Sequence, residues 1–366
     1  MRLLRKSNAT SFAKKGSPHS TSFSLHFTEK SRWDERDRIP VQMKRRVLVC
    51  GTNYGRSYLQ ALGLRPDRYE LAGILARGSA RSGEAARRYS VPRFFQVEQL
   101  PPGIDFACVA VGTSAFEVVL GLLKRGIHVL CEHPQKTEHI RRALEIAASR
   151  SLCFHINGHF GALESGRAFI QHCLHLRRSE ETAFLDVTAT DRSLYAAIDI
   201  LRQAVGGFGE FDFAAIGNSH PFTVLRGQLG ARTAIVKVQS STGADGLTLP
   251  DGSPEYLADL RLAVGFPAGI LTLLSLAGPV VWNSNQARCA PSAQPLWSIL
   301  YGEKALNLRQ LHRQRIRANL HALDRLVRHA QEHVIPPEQT PEHILDVSGV
   351  WESLCAQLRK SRRRCC

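Results

Sequence analysis

The chain has 366 residues, a formal net charge of +16 and 43% hydrophobic residues, which is enough apolar material for the cores of two domains. The charge is concentrated at the ends, because residues 1–46 carry +8 and residues 359–364 carry +5, leaving the part between them nearly balanced. This distribution argues against a nucleic-acid-binding protein, and the absence of any apolar run of about 18 residues argues against a membrane-spanning one.

The nine cysteines are scattered along the sequence, and none of them forms a CxxC pair. This usage predicts buried free thiols, no metal site and a reducing, cytoplasmic compartment. Residues 1–43 are rich in Ser, Lys and Arg, and we predict a disordered basic extension there rather than a secretory signal. A natural start at Met43 and a targeting role for residues 1–42 are both open alternatives.

Short apolar runs alternate with amphipathic segments from Arg46 to Asn157. This pattern predicts an α/β Rossmann domain over residues 44–158, with a doubly wound parallel sheet. The predicted strands are Val47–Cys50, Leu71–Ala76, Val91–Phe95, Phe106–Val111, His128–Cys131 and Leu152–Asn157. The predicted helices are Arg56–Leu64, Ser82–Tyr89, Ser114–Arg125 and Thr137–Arg150. Right-handed crossovers then place a ligand at the carboxyl ends of the strands.

After Gly158 the pattern changes to successive strands joined by Gly and Pro turns. It predicts an α+β domain over residues 159–335, with a mostly antiparallel sheet. The predicted helices are Leu163–Leu176, Tyr195–Val205 and the long Gly302–His333. The predicted strands are Phe184–Ala189, Asp212–Gly217, Thr223–Leu229, Thr233–Ser240, Tyr256–Val264 and Ile270–Ala277. For residues 336–366 we predict a short helical appendage, Thr340–Leu358, and a basic tail.

The stretch "VLVCGTNYGRSYLQAL" predicts a strand, a tight turn and a helix. Gly51 allows the sharp exit from the strand, and Gly55 lets the helix N-terminus approach a pyrophosphate, whose charge the exposed N–H groups favour. Asn53 occupies the position of the usual middle glycine. We expect it to fit there because Asn tolerates a left-handed backbone better than other non-glycine residues do. The other predicted cofactor-binding residues of this turn are Thr52, Tyr54 and Arg56. A tight turn that binds no nucleotide is the alternative.

The end of the second strand indicates which nucleotide binds. An NAD site places an acid there for the ribose hydroxyls, but this sequence has none. Arg77, Ser79 and Arg81 instead offer donors for a 2′-phosphate, which predicts NADPH/NADP as the cofactor; a solvated basic loop is the alternative. After the fourth strand, we expect Val111, Gly112 and Thr113 to contact the cofactor. Ser114 offers a further contact there, and capping of the next helix by Thr113 or Ser114 is compatible with that role.

The stretch "DFACVAVGTSAFEVVLGLLKRGIHVLCEHP" resembles the Gfo/Idh/MocA oxidoreductases, and the resemblance covers about Arg46 to Asn157. It implies a nicotinamide cofactor and a second domain that holds the substrate over it. Two departures are that His133 replaces the family's usual Lys, and that Phe116 replaces its usual His. In "LYAAIDILRQAVG", Asp199 is present without the His that follows it in the sugar dehydrogenases. These departures argue against oxidation of a sugar.

Four stretches resemble one branch of that family, the thiazolinyl imine reductases: "GTNYGRSYLQAL", "CEHP", "LYAAIDILRQA" and "GFPAGILTLLSLAGPVVWN". The resemblance implies NADPH-dependent reduction of a thiazoline ring to a thiazolidine. The implied substrate is a siderophore intermediate held as a thioester on a carrier domain of a nonribosomal peptide synthetase. A homodimer is also implied, through the open sheet face that often pairs subunits in the family.

Reduction of a cyclic C=N bond needs a hydride at carbon and a proton at nitrogen. From its position in the family motif, His133 would lie beside the nicotinamide as a catalytic residue, with Glu132 orienting it or the cofactor; a purely structural His133 is the alternative. In the imine reductases we expect a second donor, a Tyr, where this sequence has Phe160. His159, our second catalytic candidate, and His155 are nearby substitutes for it. The acid serves best if it titrates near neutrality, as an imidazole ordinarily does, and we expect this of His133.

Six arginines on the long helix are either a solvated face or a docking surface for an acidic carrier domain: Arg309, Arg313, Arg315, Arg317, Arg325 and Arg328. Two other functions remain open. One is a dehydrogenase of the same family acting on a sugar or small alcohol, and the other is a non-catalytic NADP-binding regulator or scaffold.

Overall fold

The computed structural model describes residues 44–112, 114–219, 221–240, 259–288 and 295–363. The predictions for residues 1–43, for Thr113 and for the first residues of the strand expected from Tyr256 lie outside this part of the chain. The described residues form two sheets, one wholly parallel and one mostly antiparallel, which confirms the predicted fold class.

The first sheet has six parallel strands in the order β3-β2-β1-β4-β5-β6. They are β1 Arg45–Cys50, β2 Tyr69–Leu75, β3 Arg93–Phe94, β4 Phe106–Val109, β5 His128–Glu132 and β6 Phe154–Asn157. From Val47 to Cys50, every side chain of the central strand is buried, as expected for a strand covered on both faces. The strand order reverses between β1 and β4, and a ligand site is expected at this point.

Four helices connect these strands: α1 Arg56–Leu62, α2 Ala80–Arg88, α3 Ala115–Lys124 and α4 Thr137–Ser149. They divide the apolar interior into two cores. One core, with Leu122 and Ile140, lies under α3 and α4 and continues into the second sheet. The other, with Val49 and Leu59, lies under α1 and α2.

The second sheet has eight strands in the order β14-β13-β12-β11-β7-β10-β9-β8, and only β7 and β10 pair in parallel. Its strands are β7 Phe184–Thr190, β8 Phe211–Ser219, β9 Phe222–Leu229, β10 Arg232–Gln239, β11 Leu260–Phe266, β12 Gly269–Leu273, β13 Val280–Ser284 and β14 Trp297–Tyr301. In β7, Leu185, Val187 and Ala189 are buried while the residues between them are not, so one face covers the core. The sequence prediction lacked β13 and β14.

Four more helices complete the fold: α5 Glu164–Leu176, α6 Leu194–Val205, α7 Leu308–Glu332 and α8 Pro341–Arg363. Helix α7 begins six residues later than predicted and packs on the first sheet, where Leu323 and Leu326 join the core of α1. Helix α8 is longer than the predicted short appendage, and Ile344, Val347 and Leu354 are buried in the core that both sheets share. None of the described helices is long and apolar enough to cross a membrane.

Candidate active site

The turn after β1 is shaped by two glycines. Gly51 has a φ of 89°, and a Cβ there would collide with the carbonyl oxygen of Ala110. Gly55 caps α1, and a Cβ at this position would collide with the carbonyl oxygen of Gly51. The turn therefore requires both glycines, and it brings the N-terminus of α1 to the carboxyl edge of the sheet.

The prediction of a left-handed Asn53 is wrong, because this residue is not among those with a positive φ. Asn53 is instead held by its neighbours. Its side-chain oxygen accepts a hydrogen bond from Arg81 Nη1 at 3.2 Å, and its backbone oxygen accepts one from Arg56 Nε at 3.1 Å. The missing middle glycine is thus compatible with the turn, since the backbone there has ordinary dihedrals.

The loop after β2 exposes Arg77, Ser79 and Arg81 at the same edge of the sheet. Ser79 caps α2 and accepts a hydrogen bond from the backbone N–H of Ser82 at 3.3 Å. A fourth donor, Arg93 on β3, was missed: its Nη1 lies 3.5 Å from the backbone oxygen of Ser79, and its guanidinium stacks over Phe95 at 4.8 Å. These cations fit a 2′-phosphate, and no carboxylate stands among residues 76–83.

The loop after β4 leaves open space over the turn. A Cβ added to Gly112 would meet no atom of the described residues within 4 Å, whereas Val111 lies against Gly51. The turn is therefore packed against Val111 on one side, and the space next to Gly112 is open. The residues at this edge of the sheet fit a dinucleotide. Thr113, the other residue predicted here, lies outside the described residues.

Glu132, at the end of β5, is the acceptor of a buried hydrogen-bond network. Tyr58 on α1 donates to it, and Asn157 at the end of β6 donates its Nδ2 to Glu132 at 2.6 Å and to Asn319 of α7 at 2.8 Å. Burial raises the pKa of Glu132 to about 7, because it outweighs the hydrogen bonds from Tyr58 and Asn157, which lower that pKa. Glu132 therefore titrates much closer to neutrality than an ordinary carboxyl group does.

His133 follows Glu132 and stacks on Tyr195 of α6, with ring centres 4.9 Å apart and planes 8° from parallel. Both ring nitrogens are buried without a hydrogen-bond partner among the described residues. Burial lowers the pKa of His133 to about 4, against a smaller raising effect of Asp199. The expectation of an imidazole titrating near neutrality is therefore wrong here: His133 is neutral at pH 7 and offers one N–H donor and one acceptor.

His159, in the loop after β6, lies beside His133, with ring centres 6.0 Å apart. Its Nε2 is 2.9 Å from the hydroxyl of Tyr54, and its Nδ1 has no hydrogen-bond partner among the described residues. Burial holds the pKa of His159 well below its ordinary value, so this ring is also neutral at pH 7. The structure thus brings together the two predicted catalytic histidines. His155 is held elsewhere, with its Nε2 2.9 Å from Nδ1 of His329 on α7.

The ligand atoms of Glu132, His133 and His159 all lie within 4.8 Å of one another, a spacing that a metal ion would accept. Against a metal there, Glu132 already accepts hydrogen bonds from Tyr58 and Asn157. The absence of a resident metal, inferred from the sequence, stays a prediction.

Asp199 on α6 has a histidine partner that the local sequence does not contain. Nε2 of His343, from α8, lies 2.8 Å from one carboxylate oxygen, and Gln203 donates to the other at 3.0 Å. Both members of the pair are buried. Sequence analysis missed His343 because it lies 144 residues from Asp199, on a helix with no recognisable motif.

Tyr58, Asn157, Asn319 and Tyr195 were also missed. A signal existed for one of them: Asn157 ends a predicted strand at the same edge as Glu132. The remaining three lie on helices, where polar residues among apolar ones resemble ordinary amphipathic patterning.

The glycine turn, the basic loop and the polar cluster at the switch point together define a nicotinamide-nucleotide oxidoreductase fold. Residues 45–158 match the model of the Gfo/Idh/MocA oxidoreductase family with its NAD-binding Rossmann fold, and residues 180–283 match the model of the thiazolinyl imine reductase Irp3-like C-terminal domain. The two matches are to the family and the branch that the sequence motifs resemble, the Gfo/Idh/MocA oxidoreductases for the first sheet and the thiazolinyl imine reductases for the second. No curated protein sequence matches it significantly.

Solved structures share this fold at low sequence identity. GenD2 from gentamicin A biosynthesis, in complex with NAD, is 16% identical with a TM-score of 0.63, and the match covers 87% of this chain and 95% of that one. Biliverdin reductase from Synechocystis sp. PCC 6803, in complex with biliverdin and NADP+, is 14% identical with a TM-score of 0.63. The match covers 85% of this chain and 98% of that one. An oxidoreductase from Agrobacterium radiobacter, in complex with NAD+, L-tartaric acid and magnesium, is 12% identical with a TM-score of 0.64. The match covers 86% of this chain and 96% of that one.

Proposed function

We propose that this protein is an NADPH-dependent reductase of a cyclic imine, converting a thiazoline to a thiazolidine. The substrate is a siderophore intermediate carried as a thioester by a nonribosomal peptide synthetase in the cytoplasm. The observation that carries the proposal is the match of residues 180–283 to the Irp3-like C-terminal domain, together with its place in the fold: this segment contains α6, whose Tyr195 stacks on His133.

The choice of NADPH rests on the loop after β2. Arg77 and Arg81 are exposed beside Ser79, and Arg93 reaches the backbone of the same loop. Guanidinium groups bind phosphate oxygens with paired N–H donors, and no acid here competes for ribose hydroxyls. The turn from Gly51 to Gly55 would hold the pyrophosphate at the N-terminus of α1.

When bound, NADPH supplies a hydride. The side chains of the chain orient the substrate and deliver the proton. His133 is neutral, so it acts by hydrogen bonding: its buried nitrogens hold a polar ring substrate in one orientation. The network around Glu132 fixes the end of β5 and hence the position of His133.

A carrier domain would approach over the N-terminal half of α7. Arg309, Arg313 and Arg317 are exposed at four-residue intervals and so form one stripe on the helix. The other three arginines have partners within the chain: Arg315 pairs with Asp259, Arg325 with Glu338 and Arg328 with Glu332. The docking proposal therefore concerns only Arg309, Arg313 and Arg317, half of the arginines that the sequence suggested. These three would attract an acidic surface.

The function is tested by NADPH oxidation with an aryl-thiazoline thioester, presented on a carrier domain and as a free analogue, with formation of the thiazolidine followed by mass spectrometry. We expect turnover with the thiazoline and none with sugars. Double charge reversal, Arg309→Glu with Arg313→Glu, is expected to raise KM about tenfold for the carrier-bound substrate alone. An equal loss on both substrates would reject the docking surface.

A second candidate is an NADP-dependent dehydrogenase of a sugar or small alcohol. One observation favours it: His343 supplies Asp199 with the histidine partner that the sequence motif lacked. This candidate ranks second because the Asp199–His343 pair is buried. One carboxylate oxygen of Asp199 already bonds to Nε2 of His343, and the other accepts from Gln203. Alcohol-dependent NADP+ reduction without thiazoline turnover would select this candidate, and tight NADPH binding without either reaction would select a non-catalytic NADP-binding regulator.

A further inference from the structure

Behind the site lies a cavity of about 190 Å³ that the proposed function does not use. Its walls come from the loop after β6, from α5, α6 and α7, and from the short turn before α8. The lining is mixed, and its polar side chains include His155, His159, Gln203, Arg325 and Glu338. It reaches the surface at Arg167 and Gln171, which are both exposed. A cavity of this size with several polar side chains in its wall has room for several water molecules, which can exchange with solvent.

His159 lies between this cavity and the nucleotide site. Its ring lines the cavity, and its Nε2 is in hydrogen-bond contact with Tyr54 on the glycine turn at 2.9 Å. Its Nδ1 is buried and accepts no hydrogen bond from the described residues. A neutral imidazole has one N–H and one acceptor nitrogen, so it can pass a proton from one edge of the ring to the other.

We propose that His159 and Tyr54 form a proton relay that connects the cavity water to the substrate nitrogen. The inference rests on the proposed imine reduction and names its proton source. Each turnover places one proton on the ring nitrogen, and the position expected for a donor Tyr holds Phe160, which has no exchangeable proton. Tyr54 supplies a phenol in hydrogen-bond contact with His159, and its ring lies 5.7 Å from that of His159.

The relay conserves atoms and charge. The O–H bond of Tyr54 breaks as its proton forms an N–H bond with the substrate nitrogen, while the substrate carbon gains the hydride. The Nε2–H of His159 then restores the phenol, and Nδ1 takes a proton from a cavity water. The resulting hydroxide is neutralised by bulk solvent through the open mouth, and exchange with water returns His159 to its starting tautomer.

The test combines chemical rescue with a measurement that needs no turnover. We expect His159→Gly to lower kcat about 100-fold or more, the usual range for loss of proton transfer, with NADPH affinity unchanged by fluorescence titration. We expect added imidazole to fill the opened space and to raise kcat of this variant at least tenfold. His155→Gly opens the same cavity away from Tyr54 and shows no imidazole-dependent gain. Tyr54→Phe lowers kcat similarly, and imidazole does not restore it.

The independent readout is ¹⁵N NMR of His159 in the NADPH-bound protein. We expect a neutral ring, a Nε2 resonance that shifts in Tyr54→Phe, and a Nδ1 resonance that responds to H₂O/D₂O exchange. Equal imidazole rescue of both glycine variants, or a Nε2 resonance unaffected by Tyr54→Phe, would overturn the relay. If the wild type turns over no thiazoline, the proposed function fails, and the NMR result alone decides whether the relay exists.

Discussion

The ring of Tyr195 lies flat against the ring of His133, 4.9 Å away and 8° from parallel. His133 directly follows β5 of the first sheet, and Tyr195 lies in the first turn of α6, which packs on the second sheet. The wall of the site is therefore built from both halves of the chain. A side chain from the Irp3-like region thus packs directly against a residue from the Rossmann region.

Tyr195→Leu should lower the free energy of unfolding by about 2–3 kcal/mol, because it removes both the stacking contact and buried volume. Tyr195→Phe keeps the ring and should cost less than about 1 kcal/mol. Urea denaturation of both variants measures this. A Phe variant as unstable as the Leu variant would show that the hydroxyl, rather than the stack, is what matters.

Gly51→Ala and Gly112→Ala separate folding from cofactor binding. The first introduces a side chain at a φ of 89° against the backbone of Ala110, so we expect at least 1–2 kcal/mol of destabilisation. The second points into open space, so thermal stability should be unchanged. NADPH affinity should fall about tenfold in Gly112→Ala if the cofactor lies over this loop, and unchanged affinity would move the cofactor elsewhere.

Removal of Arg77 and Arg93 together should weaken NADPH binding more than about 100-fold, since each charge-assisted phosphate contact contributes about 1.5–3 kcal/mol. NADH has no 2′-phosphate, so its affinity should change less than threefold. Arg141→Ala, an exposed arginine on α4, serves as the matched charge control. Isothermal titration with both nucleotides measures the difference. Parallel losses for NADPH and NADH would assign these arginines to folding.

Glu132→Gln should change how stability depends on pH. The folded-state pKa is about 7, above the ordinary value of 4.5, so between these values the folded state holds a proton that the unfolded state has lost. The free energy of unfolding of the wild type therefore decreases across this window, by up to about 1 kcal/mol per pH unit, and levels off above pH 7. The Gln variant lacks this decrease, so its melting temperature relative to the wild type should rise from pH 5 to about pH 7 and then stay constant.

Chelation tests the metal prediction. Although Glu132, His133 and His159 are spaced like metal ligands, we expect EDTA dialysis to leave melting temperature and NADPH affinity unchanged. Elemental analysis of the purified protein should find less than about 0.1 metal ion per chain, on the order of adventitious occupancy. A stoichiometric metal whose removal lowers the melting temperature would contradict the prediction.

The sequence was most informative where burial alone determines structure. The first sheet could be predicted because its strands are short apolar runs between amphipathic helices. Glu132 and His133 were placed at the site by the resemblance of "CEHP" to the family motif. β14 was missed because it is half-exposed along its length, with no apolar alternation. The protonation of His133 was mispredicted because its pKa is determined by burial against α6, which no local pattern encodes. Asn319 and His343 reach the site region from helices more than 140 residues away.

Helix α8 gives the chain a property that neither sheet has alone. Its Glu352 accepts a hydrogen bond from Thr137 of α4, and its His343 bonds to Asp199 of α6. Its Leu354 is buried in the core that both sheets share. Melting of one sheet would expose the apolar face of the helix that covers the other, so we expect the two sheets to unfold in a single cooperative transition. We therefore expect a nucleotide bound at the first sheet to protect the second sheet as well from proteases and heat.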